Sequence, residues 1–306
     1  MEELLVKKQN VVSTELVFCA DKSFGDRILF IIENYLNLLH RCNCPWLSPW
    51  AYFIVFRQKE VKSMKVLVIP DVHLKPYMFR KADILMERGI AENAVCLMDI
   101  ADDWNQQYNI ALYEETYNEA ICFAKKYPNS LWCYGNHDLS YVWYMPETGY
   151  SSMAMSTVQR KLFDLKVTLP ENNPIKYVQR IDNVIFSHGG VSDYFVREYV
   201  PASKYNDIDT VVDTINCLGV NEMWNDASPI WLRPQYETRE IFRADTYKQV
   251  VGHTPVEKIF EKDGIISTDV FSTYRDGRQI GESAMIVIDS ETGKYEKTEV
   301  MGKQGV

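Results

Sequence analysis

A chain of 306 residues, 46% apolar and 13% aromatic, with 14 glycines and 12 prolines, excludes the collagen-like and low-complexity classes and describes a globular chain of enzyme size. Its 33 basic and 42 acidic residues leave a net charge of −9. That balance argues against affinity built on cradling a nucleic-acid backbone, and it does not disfavour a holder of divalent cations. Seven cysteines, Cys19, Cys42, Cys44, Cys96, Cys122, Cys133 and Cys217, are scattered and read as reduced cytosolic thiols. No run reaches the roughly 18–20 apolar residues that span a bilayer. The start Met-Glu-Glu lacks the basic region of a signal peptide. A cytoplasmic protein with no membrane partner is expected.

In chain order, residues 28–39 have the spacing of one amphipathic helix, 46–56 are aromatic without a period, and 58–64 are polar and linker-like. Residues 1–63 read as a peripheral extension or a start-site artefact, and 64–306 as the folded domain. Residues 65–70 then form a short continuous apolar run of the buried parallel-strand kind. Helical spacing follows over 79–88 and 111–126. Strands are predicted at 94–98, 130–134, 185–188, 249–251, 265–267 and 285–288. The alternation predicts an α/β architecture with a parallel core. The strand-rich tail after 260 predicts a second, more antiparallel sheet. Cys42 and Cys44 lack a second pair in zinc register, and neither they nor His40 carry a functional expectation.

Four of the five histidines follow apolar runs, where open α/β sheets gather their ligands. The strand ends bring together Asp71-Val72-His73, Asp99-Ile100-Ala101-Asp102-Asp103, Gly135-Asn136-His137-Asp138, Ser187-His188-Gly189-Gly190 and Gly252-His253-Thr254-Pro255. Alone, a D-x-H triplet is commonplace and a single histidine is more often structural. Five such pieces in order, each closing a predicted strand, are not an accident of composition. Mixed imidazole and carboxylate donors suit Mn, Fe, Zn or Ni rather than Ca or a thiolate zinc site. Two residues apart on an extended segment, Asp71 and His73 point to one side and can grip one cation. Asp99 has two oxygens with which to bridge cations about 3.5–4 Å apart, and Asn136, His188 and His253 complete the second. Gly135, Gly189 and Gly252 are read as giving the backbone room to turn sharply.

This order of motifs resembles the calcineurin-like metallophosphoesterases, from residue 65 to about 290. Within them it is most similar to the phosphoprotein-phosphatase branch, near bacterial and phage serine/threonine phosphatases and symmetrical diadenosine tetraphosphate hydrolases. The resemblance implies a four-layer αββα sandwich of two mixed sheets with a dimetal site on the strand ends. It implies Asp71, His73 and Asp99 on one metal, and Asp99, Asn136, His188 and His253 on the other. It further implies His137 as general acid, oriented by Asp102. Two divalent ions, with Mn first and Fe, Zn or Ni as alternatives, would lower the pKa of a bridging water.

Two departures stand out. Asp103 occupies the place of a phosphate-gripping arginine, so that role passes to Arg233 in Trp231-Leu232-Arg233-Pro234, to Arg80, and to Asn136. Arg233 would otherwise be a surface ion pair. Pro255 occupies the position where nucleases and cyclic-nucleotide phosphodiesterases of the superfamily carry a second histidine, which lowers the nuclease reading. The leading expectation is a phosphomonoesterase acting on phosphoproteins or small phosphoesters. A dinucleoside polyphosphate hydrolase is the alternative, with Trp104, Tyr141, Trp143 or Tyr144 stacking a base. A non-catalytic metal-binding module comes third.

Overall fold

The computed structural model describes residues 63–298, so the extension reading, with His40, Cys42 and Cys44, falls outside the described residues apart from Ser63. Lys65–Ile69 (β1) buries four consecutive apolar residues, as a strand covered on both faces must. It pairs in parallel with Asn93–Cys96 (β2), which pairs in parallel with Leu131–Trp132 (β3). On its other side β1 pairs antiparallel with Ile286–Asp289 (β9), Leu67 opposite Val287, and β9 with Tyr295–Lys297 (β10). The second sheet runs Val178–Ile181 (β4), Val184–Ser187 (β5), Lys248–Val251 (β6), Ile265–Ser267 (β8) and Phe260–Lys262 (β7). Its centre, β5-β6-β8, is parallel and its edges are antiparallel. Both sheets are therefore mixed.

The tail does not build a sheet of its own. β7 and β8 join the second sheet, whereas β9 and β10 cross back to the first. The pattern of apolar residues in β9 identifies a strand but not its partner, and β1 offers the free edge.

Helices cover both outer faces. Tyr77–Glu87 (α1) turns Met78, Phe79, Ala82 and Leu85 inward at helical spacing. Ile110–Lys126 (α2) starts at an Asn109 side chain that accepts the Leu112 N–H, and ends with Lys125 and Lys126 against the negative end of its dipole. These two and Met155–Thr168 (α4) pack on the first sheet in one apolar core that also takes Val184, Phe186, Val250 and Ile266 from the second. The alternate residue Ile185 points the other way, into a second core with Asp193–Tyr199 (α5) and Ile208–Asn216 (α6). The layers are thus helix, sheet, sheet, helix. Asn136–Trp143 (α3) and the short Val220–Met223 (α7) complete the seven α-helices among the described residues.

Candidate active site

Each sheet contains one parallel triple, β1-β2-β3 and β5-β6-β8, and six loops leave their carboxyl ends. Those loops carry Asp71 and His73, Asp99 and Asp102, Asn136 and His137, His188, His253, and Asp269. Backbone pairing continues past the strands and fixes the loops to one another. The amides of Val72, His73 and Leu74 donate to the carbonyls of Met98, Asp99 and Ile100, and Gly252 N–H donates to His188. Left-handed backbone concentrates here: His73, Leu74, Met98, Asp99, Asp102 and His253 all have φ between 40° and 63°. Such residues persist only where the surroundings over-determine them, which is common at working sites. The Asp71–His73 pair is accordingly not on an extended segment. His73 (φ 42°) begins a turn, and it is this turn that brings its ring back beside Asp71.

The glycines act through space rather than through turning. Neither Gly135 nor Gly252 has positive φ, but a Cβ on Gly135 would lie 1.9 Å from Asp99 Oδ1, and one on Gly252 1.7 Å from Asp71 Oδ1. A Cβ on Gly189 would strike the Leu232 backbone at 2.7 Å. Gly252→Ala should therefore displace Asp71 and weaken divalent-cation binding about 10- to 100-fold, as disturbed support of a metal ligand does. Calorimetric titration with Mn²⁺ reads this directly. Unchanged affinity in a folded variant would show that Asp71 does not need its present place.

The donor atoms converge. His188 Nε2 lies 3.0 Å from Asp99 Oδ2, 3.1 Å from Asn136 Oδ1 and 3.2 Å from His253 Nδ1. Asp99 Oδ2 is also 3.9 Å from His73 Nε2. Donor atoms of Asp71, His73 and Asp269 form a further group within 4.8 Å of one another. His73 Nδ1 faces the Asp102 carbonyl at 2.9 Å and His188 Nδ1 faces that of Leu97 at 3.1 Å. With Nδ1–H donated outward, each Nε2 lone pair is aimed inward, as metal-ligating histidines are prepared.

Electrostatics fit the same use. Burial, reinforced by Asp269, pushes the Asp71 carboxyl well above the carboxylate range. Burial would also raise Asp99, but His188 and His137 hold it well below that range. Burial lowers His73, and burial with His188 beside it takes His253 far down, so both imidazoles are neutral and ready to ligate. Burial opposes charge on His188, yet Asp99 and Asp71 carry it up to about 9; a cation placed among these donors competes with that proton. Asp71 Oδ1 and His253 Nε2 are buried with no hydrogen-bond partner. Crowded acceptors, orphaned donor atoms and glycines that leave room for carboxylates all fit a divalent metal centre.

His137 stands at the start of α3, where adjacent side chains diverge by about 100°, and one of its ring nitrogens lies within 4.8 Å of the His73 and Asp99 donors. Its Nδ1–H donates to Asp102 Oδ2 at 3.0 Å, and its backbone N–H to Asp99 Oδ1 at 2.9 Å. Burial works against its charge, but Asp99 and the hydrogen-bonded Asp102 push it up to about 9. Asp102 is fixed in turn by the hydroxyls of Tyr113 and Tyr141, at 2.8 and 2.6 Å.

The sequence profile described as calcineurin-like phosphoesterase matches residues 64–276. The chain belongs to the calcineurin-like phosphoesterases. It is thus a metal-dependent phosphoester hydrolase. Among solved structures, a cold-active protein-tyrosine phosphatase from a psychrophilic Shewanella sp. is 16% identical, with 77% of this chain and 80% of that chain covered at a TM-score of 0.46. A metallophosphoesterase from Sphaerobacter thermophilus is 14% identical, covering 78% of this chain and 89% of its own at 0.38. An archaeal phosphodiesterase is 14% identical, covering 77% and 99% at 0.33. No curated protein sequence matches significantly.

A cleft of about 400 Å³ opens on this phosphoesterase's histidines, lined also by Arg233, Pro255, Trp104, Thr273 and Arg275. A larger concavity, about 720 Å³ around Arg239 and Lys262, holds none of the histidines. Arg233 Nη1 donates to the His253 carbonyl at 2.8 Å, which sets its guanidinium at the cleft. Arg80 is not brought there. It is half exposed and paired with Glu115 and Glu119 of α2, because helix α1 turns it outward. Of the four aromatic residues expected to meet a base, only Trp104 lines the cleft. Tyr141 is buried on Asp102 and Tyr150, Trp143 packs on Tyr177 and Trp224, and Tyr144 points to solvent. Two charged cleft residues were not anticipated, Asp269 and Arg275. Asp269 follows strand β8 as the other acids follow theirs, and that position was its only signal. Among the described residues no helix is long and apolar enough to cross a membrane.

Proposed function

We propose that this phosphoesterase is a phosphomonoesterase of the phosphoprotein-phosphatase branch, acting in the cytoplasm on phosphoproteins or small phosphoesters. The observation that carries the reading is the His137–Asp102 hydrogen bond, made within reach of the His73 and Asp99 donors. A positioned proton donor matters most for an alkoxide leaving group. Pro255, lying in the cleft where the nuclease pattern would carry histidine, supports the same branch. Asp71, His73, Asp99, Asn136, His188 and His253 would hold two divalent ions, Mn²⁺ or alternatively Fe, Zn or Ni, since the donors are mixed N/O and cysteine-free. Bound there, such a centre supplies Lewis-acid polarisation and a water nucleophile of lowered pKa. Arg233 orients the phosphoryl group through its nonbridging oxygens. His137, held by Asp102, delivers its proton to the departing oxygen. A second reading, hydrolysis of dinucleoside polyphosphates, draws on Trp104 in the cleft, where an indole can stack on a base.

A substrate panel tests both. With Mn²⁺ present, p-nitrophenyl phosphate and a phosphoserine peptide should be hydrolysed faster than diadenosine tetraphosphate. Activity should vanish in excess EDTA and return with Mn²⁺. Preference for the dinucleotide would favour the second reading, and full turnover after long dialysis against EDTA would remove both.

A further inference from the structure

The three consecutive residues Asp103, Trp104 and Asn105, which replace the usual arginine segment, all hold one loop. Asp103 Oδ1 accepts from Thr273 Oγ1 at 2.7 Å. Asn105 Nδ2 donates to the Arg275 carbonyl at 2.8 Å. The Arg275 guanidinium lies 4.9 Å from the centre of the Trp104 ring, in cation–π range. The loop is also tied at its base, where Ser272 Oγ lies within hydrogen-bond distance of both oxygens of Asp269, and closed at its neck by the Thr273–Gln279 bridge. Arg275 is therefore carried to the cleft mouth on a braced hairpin rather than a loose one.

Charge decides what it meets there. Asp103 would repel an anionic substrate, but Lys75, itself nearly buried, pairs with its Oδ2 at 2.9 Å and neutralises it. Among the described residues no carboxylate pairs with the Arg275 guanidinium, whereas Arg80, Arg160, Arg180, Arg197, Arg239 and Arg278 each have one. Its face rests on Trp104, and its N–H edge is left to solvent and to whatever enters the cleft. A guanidinium with a supported face and free edge is a receiver for a planar or tetrahedral oxyanion. Arg233, anchored on the carbonyl of His253, lines the same cleft and is the arginine proposed above for the reacting phosphate. Arg275 is a second arginine on the same lining, exposed to solvent.

We propose that Arg275 is a specificity-determining residue that selects phosphoesters bearing a second anionic group, a carboxylate or another phosphate, beside the one hydrolysed. This deepens the phosphomonoesterase reading and rests on it for the identity of the reacting group.

The test uses non-hydrolysable phosphonate analogues of three phosphoserine peptides, one flanked by Glu, one by a second phosphonate and one by Gln. Their Kd values are measured on the full Mn²⁺-loaded protein. Wild type should bind the Glu peptide about fivefold more tightly than the Gln peptide, the range of a partly exposed ion pair. The doubly phosphonated peptide tells whether a second phosphate serves better than a carboxylate. Arg275→Ala should bring all three to equal affinity, and Arg275→Lys should keep part of the preference. A preference unchanged in Arg275→Ala, or absent from wild type, overturns the inference. If the preference depends on Arg275 but the parent phosphopeptides are not hydrolysed, the inference stands and the phosphomonoesterase reading falls.

Discussion

Asp99→Asn is expected to lose about 10³-fold or more in phosphoester hydrolysis and to abolish the rise in melting temperature that a divalent cation confers. Asp99 contributes to two of the three donor groups, one with His73 and His137 and one with His188 and His253. One carboxylate oxygen faces His188 at 3.0 Å, and the other accepts the His137 amide. An amide of the same size retains one acceptor but loses the charge and the second anionic oxygen. The Lewis-acid contribution at stake is several kcal/mol, and each 1.36 kcal/mol is a decade in rate. Thermal melting with and without Mn²⁺ gives a readout independent of turnover, because a cation that binds only the folded state raises stability by mass action. The sign in chelator separates folding from function. Asp99 is the principal counter-charge to the buried His188, so the variant should also melt somewhat lower without cation. A variant that keeps both half its activity and the cation-induced shift would remove Asp99 from the centre.

Much of this arrangement was legible because parallel strands advertise themselves twice. They are continuously apolar, and the residues just past their carboxyl ends are the ones the fold collects. Five strand ends were read in this way, and their residues meet around His188. The sixth, Ser267-Thr268-Asp269, has the same form but no histidine, and without an imidazole a lone acid looks like any loop residue. The glycines were read for conformational freedom, although Gly135 and Gly252 face carboxylates that only folding brings within 2 Å of a Cβ. Long-range partners were similarly invisible. Nothing local to β9 says that it pairs with β1 more than 200 residues earlier. Nothing local to Arg80 shows that α2 presents Glu115 and Glu119 to it. Nor does the text Asp103-Trp104-Asn105 show that its partner is the loop around Arg275; it shows only that an arginine is missing.

His137→Ala should keep the full complement of metal and lose rate in a substrate-dependent way. The two roles open to a histidine here, metal ligand and proton donor, differ in what else its ring touches. Its Nδ1–H is committed to Asp102, and although a ring nitrogen lies within 4.8 Å of the His73 and Asp99 donors, His137 is not among the side chains that meet at His188 Nε2. The side chain is 17% exposed, against none for His188, so it reaches the cleft from the rim of the cluster. Asp99 and the hydrogen-bonded Asp102 favour its protonated form, the form that can give up a proton. General-acid assistance is worth typically ~10²–10⁴ in rate when the leaving group is a poor one. A phosphoserine peptide, which expels an alkoxide, should therefore slow by about that factor. An aryl phosphate such as p-nitrophenyl phosphate, whose phenolate leaves unaided, should slow far less. Asp102→Asn should repeat the pattern more mildly, since it removes the carboxylate that orients the ring and leaves the ring in place. Tyr113 and Tyr141 still hold the substituted amide by their hydroxyls, so the fold should tolerate the change. Metal analysis with these two substrates separates the roles: one metal fewer in His137→Ala makes it a ligand, and equal losses on both substrates show that no proton passes through it.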